Sequence, residues 1–341
     1  MTMMTHKIRC LIKPFLLVAL SFLLIITACY KPSTPKNNLS TVQGRAASEC
    51  RVIKHRRGEA CVPLEPKRIV ALDVPAILDP LIALGIKPVG TVVDFFGNGQ
   101  DWSGKRYFPA LLPELVEGIE IVGVEPTPSI ERILKLKPDL ILLADQFEPA
   151  YEQLSKIAPC VLIDIWKDKI PIKENFRYIA EIVGKEEEGE EVLSRYQERI
   201  SELKNQLGDR LLGSEISVLG YYENQLYVPG KWASHLQVIR DLALPIKPIL
   251  LQQEEYSNIS IEVVSNFDAD LIFFIENNNP SKPLYKNPLI ESLNAVRNDR
   301  AFIVDGSIWE FYGPIGMNLF LDDLSKYLLQ GKQDPYFPKR G

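Results

Sequence analysis

The 341-residue chain reads as an α/β protein built of two Rossmann-like lobes joined by a single long helix. Three observations predict this. Short apolar strands alternate with helical stretches from Pro66 onward and again after Gly213, as in mostly parallel sheets covered by helices. Between them, Glu186 to Leu207 places Val192, Tyr196, Ile200, Leu203 and Leu207 at spacings of three and four, a single helical stripe. One unit is also written twice, SIERILKLKPDLILL from Ser129 and SIEVVSNFDADLIFF from Ser260, which predicts two like lobes.

The chain begins differently. Lys7, Arg9 and Lys13 precede an apolar run from Phe15 to Ile26 and the small residues Thr27 and Ala28, the layout of a secretory signal over residues 1–28. That run is shorter than the roughly 20 residues a membrane-spanning helix needs. Ile26-Thr27-Ala28-Cys29 resembles a bacterial lipobox, which implies cleavage before Cys29 and lipid on its sulfur. The alternative is an ordinary signal with a chance cysteine. Residues 29–48 are polar with scattered Pro and Gly and read as a flexible tether. Loss of residues 1–28 removes three basic residues and no acidic one, so the net charge of −5 becomes −8. Such a surface argues against nucleic acid, whose phosphates call for a basic footprint.

Residues 49–173 read as the first lobe, 174–209 as an interlobe helical region and 210–341 as the second lobe. Cys50 and Cys61 flank Arg56-Arg57-Gly58-Glu59, which could turn one short strand back on another. An exported compartment permits a disulfide there, the alternative being two reduced thiols. Arg68–Leu72, Val89–Val93, Glu120–Val122, Leu140–Leu143 and Val161–Ile165 read as first-lobe strands, with helices at Ala76–Leu84 and Tyr151–Ile157. Cys160 reads as a small buried hydrophobe. The helix from Glu186 would be about 33 Å long at about 1.5 Å per residue, with Gly189 weakening its first turn. In the second lobe, Ile216–Gly220, Gln225–Val228 and Ala301–Val304 read as strands, and 234–242 and 317–329 as helices.

The chain has no phosphate-binding Gly-x-x-x-x-Gly-Lys loop, no Gly-x-Ser-x-Gly elbow and no His-Glu-x-x-His pair. After Cys29 only His55 and His235 are present, each read as structural or solvated, so no metal site is expected. Within the repeat, Thr127 and Asn258 read as helix N-caps and place Glu131 and Glu262 in the first turn. There a carboxylate complements the helix dipole by a few tenths of a kcal/mol up to about 1. Two separated acidic points on a rigid body would also orient a basic partner. Asp139 and Asp270 read as punctuation before a buried strand.

CRVIKHRRGEACVPLEPKRIVAL, LIALGIKPVG, SIERILKLKPDLIL, SIEVVSNFDADLIFF, NAVRNDRAFIVDGSIWEFYGPIG and LDDLSKYLL follow one another in an order that carries a resemblance. The chain resembles the solute-binding lipoproteins of bacterial ABC importers for ferric siderophores and cobalamin, the class with a rigid interlobe helix. Its opening, with paired cysteines, most resembles iron-siderophore binders of cyanobacteria. The resemblance implies a ligand cleft between the lobes and docking on the membrane permease through one glutamate per lobe, at Glu131 and Glu262. It implies a monomer that is not an enzyme and has no cofactor, iron arriving within the siderophore, lipid-anchored outside the cytoplasmic membrane.

Ligands of open α/β sheets lie beyond the carboxyl ends of strands. Loops read as leaving those ends carry Asp73, Phe95, Phe96, Trp102, Phe147 and Trp166 in the first lobe. In the second they carry Tyr221, Tyr222, Lys231, Trp232, Trp309, Phe311 and Tyr312. From these, Phe96, Trp102, Trp166, Tyr222, Trp232, Trp309 and Tyr312 are expected as aromatic walls, with Arg106 and Lys231 as cations toward anionic oxygens. So few cations favour hydroxamate or mixed citrate–hydroxamate complexes over catecholates. Cobalamin or haem delivery is the alternative within the class; a lipid-anchored enzyme or a signalling receptor on the same scaffold lies outside it.

Overall fold

The computed structural model describes residues 50–93, 111, 113–211, 213–222, 224–276 and 284–330. The expectations for the signal, the tether, Cys29, Phe95, Phe96, Trp102 and Arg106 lie outside the described residues. All described residues belong to one compact unit, Glu49–Gly341.

Strands β1 (Cys50–His55) and β2 (Gly58–Pro63) form an antiparallel hairpin turning at Arg56-Arg57, and Cys50 is disulfide-bonded to Cys61 with Cα atoms 5.4 Å apart. The hairpin is fastened to the first lobe. Arg56 pairs with Glu148 at 2.9 Å and with Asp164 at 2.6 Å, and Tyr178 donates to the Lys54 carbonyl at 3.0 Å.

The first sheet comprises β3 (Ile69–Leu72), β4 (Gly90–Val93), β5 (Glu120–Val124), β6 (Thr127–Pro128), β7 (Leu140–Ala144) and β8 (Cys160–Ile163), in the order β6-β5-β4-β3-β7-β8. Every pairing is parallel except β5 with β6. Strands β3, β4 and β7 inside the sheet are buried along their whole length, as runs under helices on both faces should be, and so is the edge strand β8. The second sheet comprises β9 (Ile216–Tyr222), β10 (Gln225–Val228), β11 (Ser257–Ile259), β12 (Leu271–Glu276) and β13 (Ala301–Asp305), in the order β11-β10-β9-β12-β13. Here β9, β12 and β13 are parallel, and β10 and β11 extend the sheet antiparallel.

The duplicated unit has the same place in both lobes. Strand β7 pairs in parallel with the lobe's first strand β3, and β12 pairs in parallel with β9. Asp139 does more than punctuate: its carboxylate accepts the backbone N–H groups of Lys67 and Arg68, at 2.8 and 2.9 Å, just ahead of β3. Asp270 accepts that of Glu215, at 2.8 Å, just ahead of β9. Asp-Leu-Ile thus stitches the entry of one strand to the entry of its neighbour.

Several boundaries shift for local reasons. The stretch expected as one helix at 76–84 is a π turn (Val74–Leu78) running into Asp79–Ala83, started by the Asp73 carboxylate accepting the Ala76 N–H at 2.7 Å. Ile165 starts the helical turn Ile165–Asp168 and does not end β8. The caps are Ser129 and Ser260, not Thr127 and Asn258. Thr127-Pro128 is drawn into pairing with β5, and Asn258 pairs across to Tyr227, so each helix starts two residues later.

Two helices, Ile172–Val183 and Glu186–Leu207, lie between the sheets in sequence and pack on each other. The buried stripe of the longer one is Gly189, Leu193, Tyr196, Ile200, Leu203 and Leu207, so Leu193 replaces the expected Val192. Gly189 has a packing role: a Cβ there would lie 3.0 Å from the Ala180 Cβ, so glycine lets the two helices close up. A single buried apolar cluster then runs from Leu81 of the first lobe through Phe176 and Tyr196 to Leu236 and Phe320 of the second.

Replacing Gly189 by Leu should therefore cost about 1–3 kcal/mol in urea unfolding by overpacking this seam. Glu198→Gln on the exposed side should stay within about 0.5 kcal/mol. Equal behaviour of the two would show that the seam is loosely packed.

Candidate functional site

The lobes meet over a set of aromatic side chains delivered by separate elements. Trp166 stands on the turn after β8, its ring 4.9 Å from Tyr312 and 6.3 Å from Trp232. Trp232 lies 5.3 Å from Tyr256, which lies 5.9 Å from Tyr227. The chain of rings thus passes from the first lobe into the second. Four of the five rings are held by their polar edges. The Trp166 indole donates to Asp73 at 3.3 Å, and its backbone N–H donates to Asp145 at 3.1 Å. The Trp232 indole donates to the Glu254 carbonyl at 2.9 Å, the Tyr227 hydroxyl to Glu310 at 2.6 Å, and the Tyr312 hydroxyl to the Ile170 carbonyl. Anchored rings present fixed apolar faces at little entropic cost on binding.

The polar groups around these rings are mostly engaged. Lys231 pairs with Glu254, and Lys169 of the first lobe pairs with Glu255 of the second while donating to the Glu254 carbonyl at 3.2 Å. Gln146 donates to Asp73 at 2.9 Å and to Glu125. A pocket opens between the lobes beside this cluster, with Val74, Pro75 and Asp79 on one wall and Glu310, Phe311 and Tyr312 on the other. Burial raises the phenol pKa of Tyr312, so it remains a neutral donor across the physiological range.

Trp166, Trp232 and Tyr312 of the expected residues meet in this cluster, and Lys231 lies beside it. Tyr222 is half-buried at the end of β9. Trp309 is a correction. It is fully buried, packs on Phe273 and Phe320, and donates to Asp323 at 2.9 Å, which makes it a core residue of the second lobe. Phe147 is likewise buried in the first lobe. Trp232 also arrives differently: β10 runs antiparallel to β9, so the residues after it leave the sheet in the opposite sense to a parallel strand.

Tyr227, Tyr256, Lys169 and Asp79 were not anticipated. Tyr256 precedes a strand and Tyr227 lies within one, and the carboxyl-end rule looks at neither position. A signal for Tyr227 exists in Gly220 of β9, where a Cβ would lie 1.7 Å from the tyrosine ring.

Neither histidine contributes a proton at this site. His235 is buried with its Nδ1 3.3 Å from the Trp309 carbonyl, and burial lowers its pKa to about 4, so it is neutral. His55 lies in the hairpin against Tyr151, and burial lowers its pKa as well. Cys160 is buried, its thiol pushed up to about 12. Among the described residues no group of three or more His, Cys, Asp or Glu could hold a metal ion, and no helix is long and apolar enough to cross a membrane.

The two repeat glutamates lie elsewhere, on the surface. Glu131 is exposed in the first turn of Ile130–Leu136, where the Ser129 hydroxyl accepts the Arg132 N–H at 3.3 Å, and it pairs with Lys135 at 2.7 Å. Glu262 occupies the same place in the 3₁₀ helix Ile261–Phe267, where its partner is the Ser260 hydroxyl. An exposed i,i+4 pair is worth only about 0.3–0.5 kcal/mol, so Glu131 is readily available to another cation.

The two classes of tryptophan should separate in unfolding measurements. Trp309→Ala should cost about 3–5 kcal/mol, as for a large core side chain. Trp232→Ala should cost less than about 2 kcal/mol because its ring is only partly buried. Equal losses would place both rings in the core.

Comparison with known proteins matches this architecture. A family model described as periplasmic binding protein matches residues 103–307. The probable siderophore-binding lipoprotein YfiY of Bacillus subtilis (strain 168) is 30% identical over 339 residues, covering 93% of this chain and 98% of that protein. The iron(3+)-hydroxamate-binding protein FhuD of the same organism is 25% identical, covering 95% and 99%. Among solved structures, Staphylococcus aureus SirA complexed with staphyloferrin B superposes with a TM-score of 0.68 at 27% identity, covering 82% of this chain and 98% of that one. The chain belongs to the periplasmic binding protein family.

Proposed function

We propose that the protein is the extracytoplasmic binding component of an ABC importer, capturing a ferric siderophore between its lobes and delivering it to the membrane permease. The observation that carries this is the interlobe cluster Trp166–Trp232–Tyr256–Tyr312, with anchored rings contributed by both lobes. A ferric siderophore has an apolar rim around oxygen-ligated iron, and aromatic walls match that rim. Iron enters already chelated, so the protein binds the complex and supplies neither a metal ligand nor a catalytic group. Anchoring through lipid on Cys29 would hold it near the permease.

Glu131 and Glu262 are the proposed docking points. They occupy one position in two copies of the same unit, and both are exposed and separate from the aromatic cluster. Charges so placed steer encounter and fix orientation.

The charge around the cleft favours a hydroxamate or mixed citrate–hydroxamate complex. Lys169 and Lys231 are each paired with a glutamate, so a highly anionic catecholate complex that drew on them would have to break those pairs. Titration with ferric trihydroxamate and tricatecholate complexes, followed by tryptophan quenching, should show at least tenfold tighter binding of the hydroxamate, a difference of about 1.4 kcal/mol. Tighter catecholate binding would overturn the preference, and binding of haem or cobalamin alone would overturn the siderophore reading.

Charge reversal at both Glu131 and Glu262 should abolish uptake of the iron complex by cells carrying the protein and leave its affinity in solution unchanged. Uptake that persists would remove the glutamates from docking.

A further inference from the structure

The hairpin β1–β2 is not part of the ring cluster, yet its turn grips the two segments that hold the Trp166 ring. The first segment is the 3₁₀ turn Asp145–Ala150 after β7. Its Asp145 carboxylate accepts the backbone N–H groups of Trp166 at 3.1 Å and Lys167 at 2.8 Å. Its Gln146 donates at 2.9 Å to Asp73, the carboxylate that accepts the Trp166 indole. The second segment is the turn Ile165–Asp168 after β8, which carries Trp166 itself and starts at Asp164. One nitrogen of Arg56, Nη2, lies 2.9 Å from Glu148 of the first turn and 2.6 Å from Asp164 at the head of the second.

This bridge differs from an ordinary surface ion pair. The Asp164 side chain is only 12% exposed, so water screens the contact less than it would outside. Asp145 and Asp168 set two further negative charges against Asp164, and Arg56 outweighs Lys167 as the counter-charge. Removal of the guanidinium therefore leaves two acidic turns repelling each other. Arg56 is itself firmly delivered. The Cys50–Cys61 disulfide joins the two strands of its hairpin, and Arg51 of β1 donates to the Ile182 carbonyl at 3.3 Å, at the end of the helix Ile172–Val183. Gly184 after that helix admits the Arg51 guanidinium, from which a Cβ would lie 2.6 Å. Tyr178 of the same helix donates to the Lys54 carbonyl at 3.0 Å, two residues before Arg56.

We propose that Arg56 is a positioning residue for the ligand site: carried by the disulfide-closed hairpin, it clamps together the two turns that set the Trp166 ring against Trp232 and Tyr312. This rests on the reading of the interlobe cleft as the ligand site. The clamp acts through Trp166, so its effect on affinity disappears when that ring is absent.

The test uses the whole protein with ferrichrome, a ferric trihydroxamate, and with a ferric tricatecholate. Arg56→Gln should weaken the Kd of the tighter complex about 5- to 20-fold. It should also alter the near-ultraviolet circular dichroism of the free protein, which reports how the rings are packed. In a Trp166→Ala background the same substitution should change the Kd by less than about twofold, the non-additivity of two residues acting as one unit. Arg57→Gln, on the same turn but paired with Glu152, should leave affinity and spectrum unchanged. If Arg56→Gln fails to fold, Glu148→Gln, which breaks one arm of the clamp, decides in its place. Unchanged affinity overturns the clamp. So does a loss that persists in full without Trp166, which would make it a general effect on folding. Binding of neither complex to the unaltered protein overturns the cleft reading itself and leaves Arg56 no ligand to serve.

Discussion

The two lobes contribute opposite walls of one cleft, so their relative position must be fixed by something stiffer than a loop. The helix pair Ile172–Val183 and Glu186–Leu207 supplies that constraint. Its axes close up at Gly189 against Ala180, and its buried stripe is continuous with both cores. Polar groups bind the seam to the second lobe: Asp241 accepts from Lys173 and from the Tyr196 hydroxyl, each at 2.8 Å, and Gln237 accepts the Ile172 N–H at 3.1 Å. Asp79 adds a further tie from the first lobe to the last helix. Ring contacts between Trp166 and Trp232 depend on these ties, since each side chain is anchored to its own lobe.

This division of labour separates two kinds of surface. The interlobe cluster is aromatic, and Lys169 and Lys231 beside it are paired. The repeat glutamates are solvated and would act through long-range attraction, which is sensitive to salt and adds little local stability. The duplicated unit serves both. Its Asp-Leu-Ile end builds the sheet, and its Ser-Ile-Glu end faces solvent.

Much of the architecture was legible in the sequence because it rests on local pattern. The period of the long helix, the continuous apolar runs of β7 and β12 and the repeat itself are all written in consecutive residues. What escaped depends on contacts between distant residues. Thr127 and Asn258 look like caps until the neighbouring strand recruits them, and Leu193 outranks Val192 only once a second helix covers that side. The placement of aromatics in loops pointed to Trp166, Trp232 and Tyr312, whose rings the structure brings together. Trp309 passed the same filter, although Asp323, fourteen residues on, satisfies its indole within the core. Asp79 lay unremarked inside the helix expected at 76–84, and its partner lies 236 positions away in sequence.

The central claim is that a prefixed interlobe cleft receives the ligand with little rearrangement of the lobes. Small-angle scattering of the protein alone and saturated with a ferric siderophore tests this most directly. The seam predicts an unchanged radius of gyration and superimposable scattering profiles. A marked compaction on binding would contradict it, because the helix pair would then be a hinge and the aromatic walls would form only around the ligand.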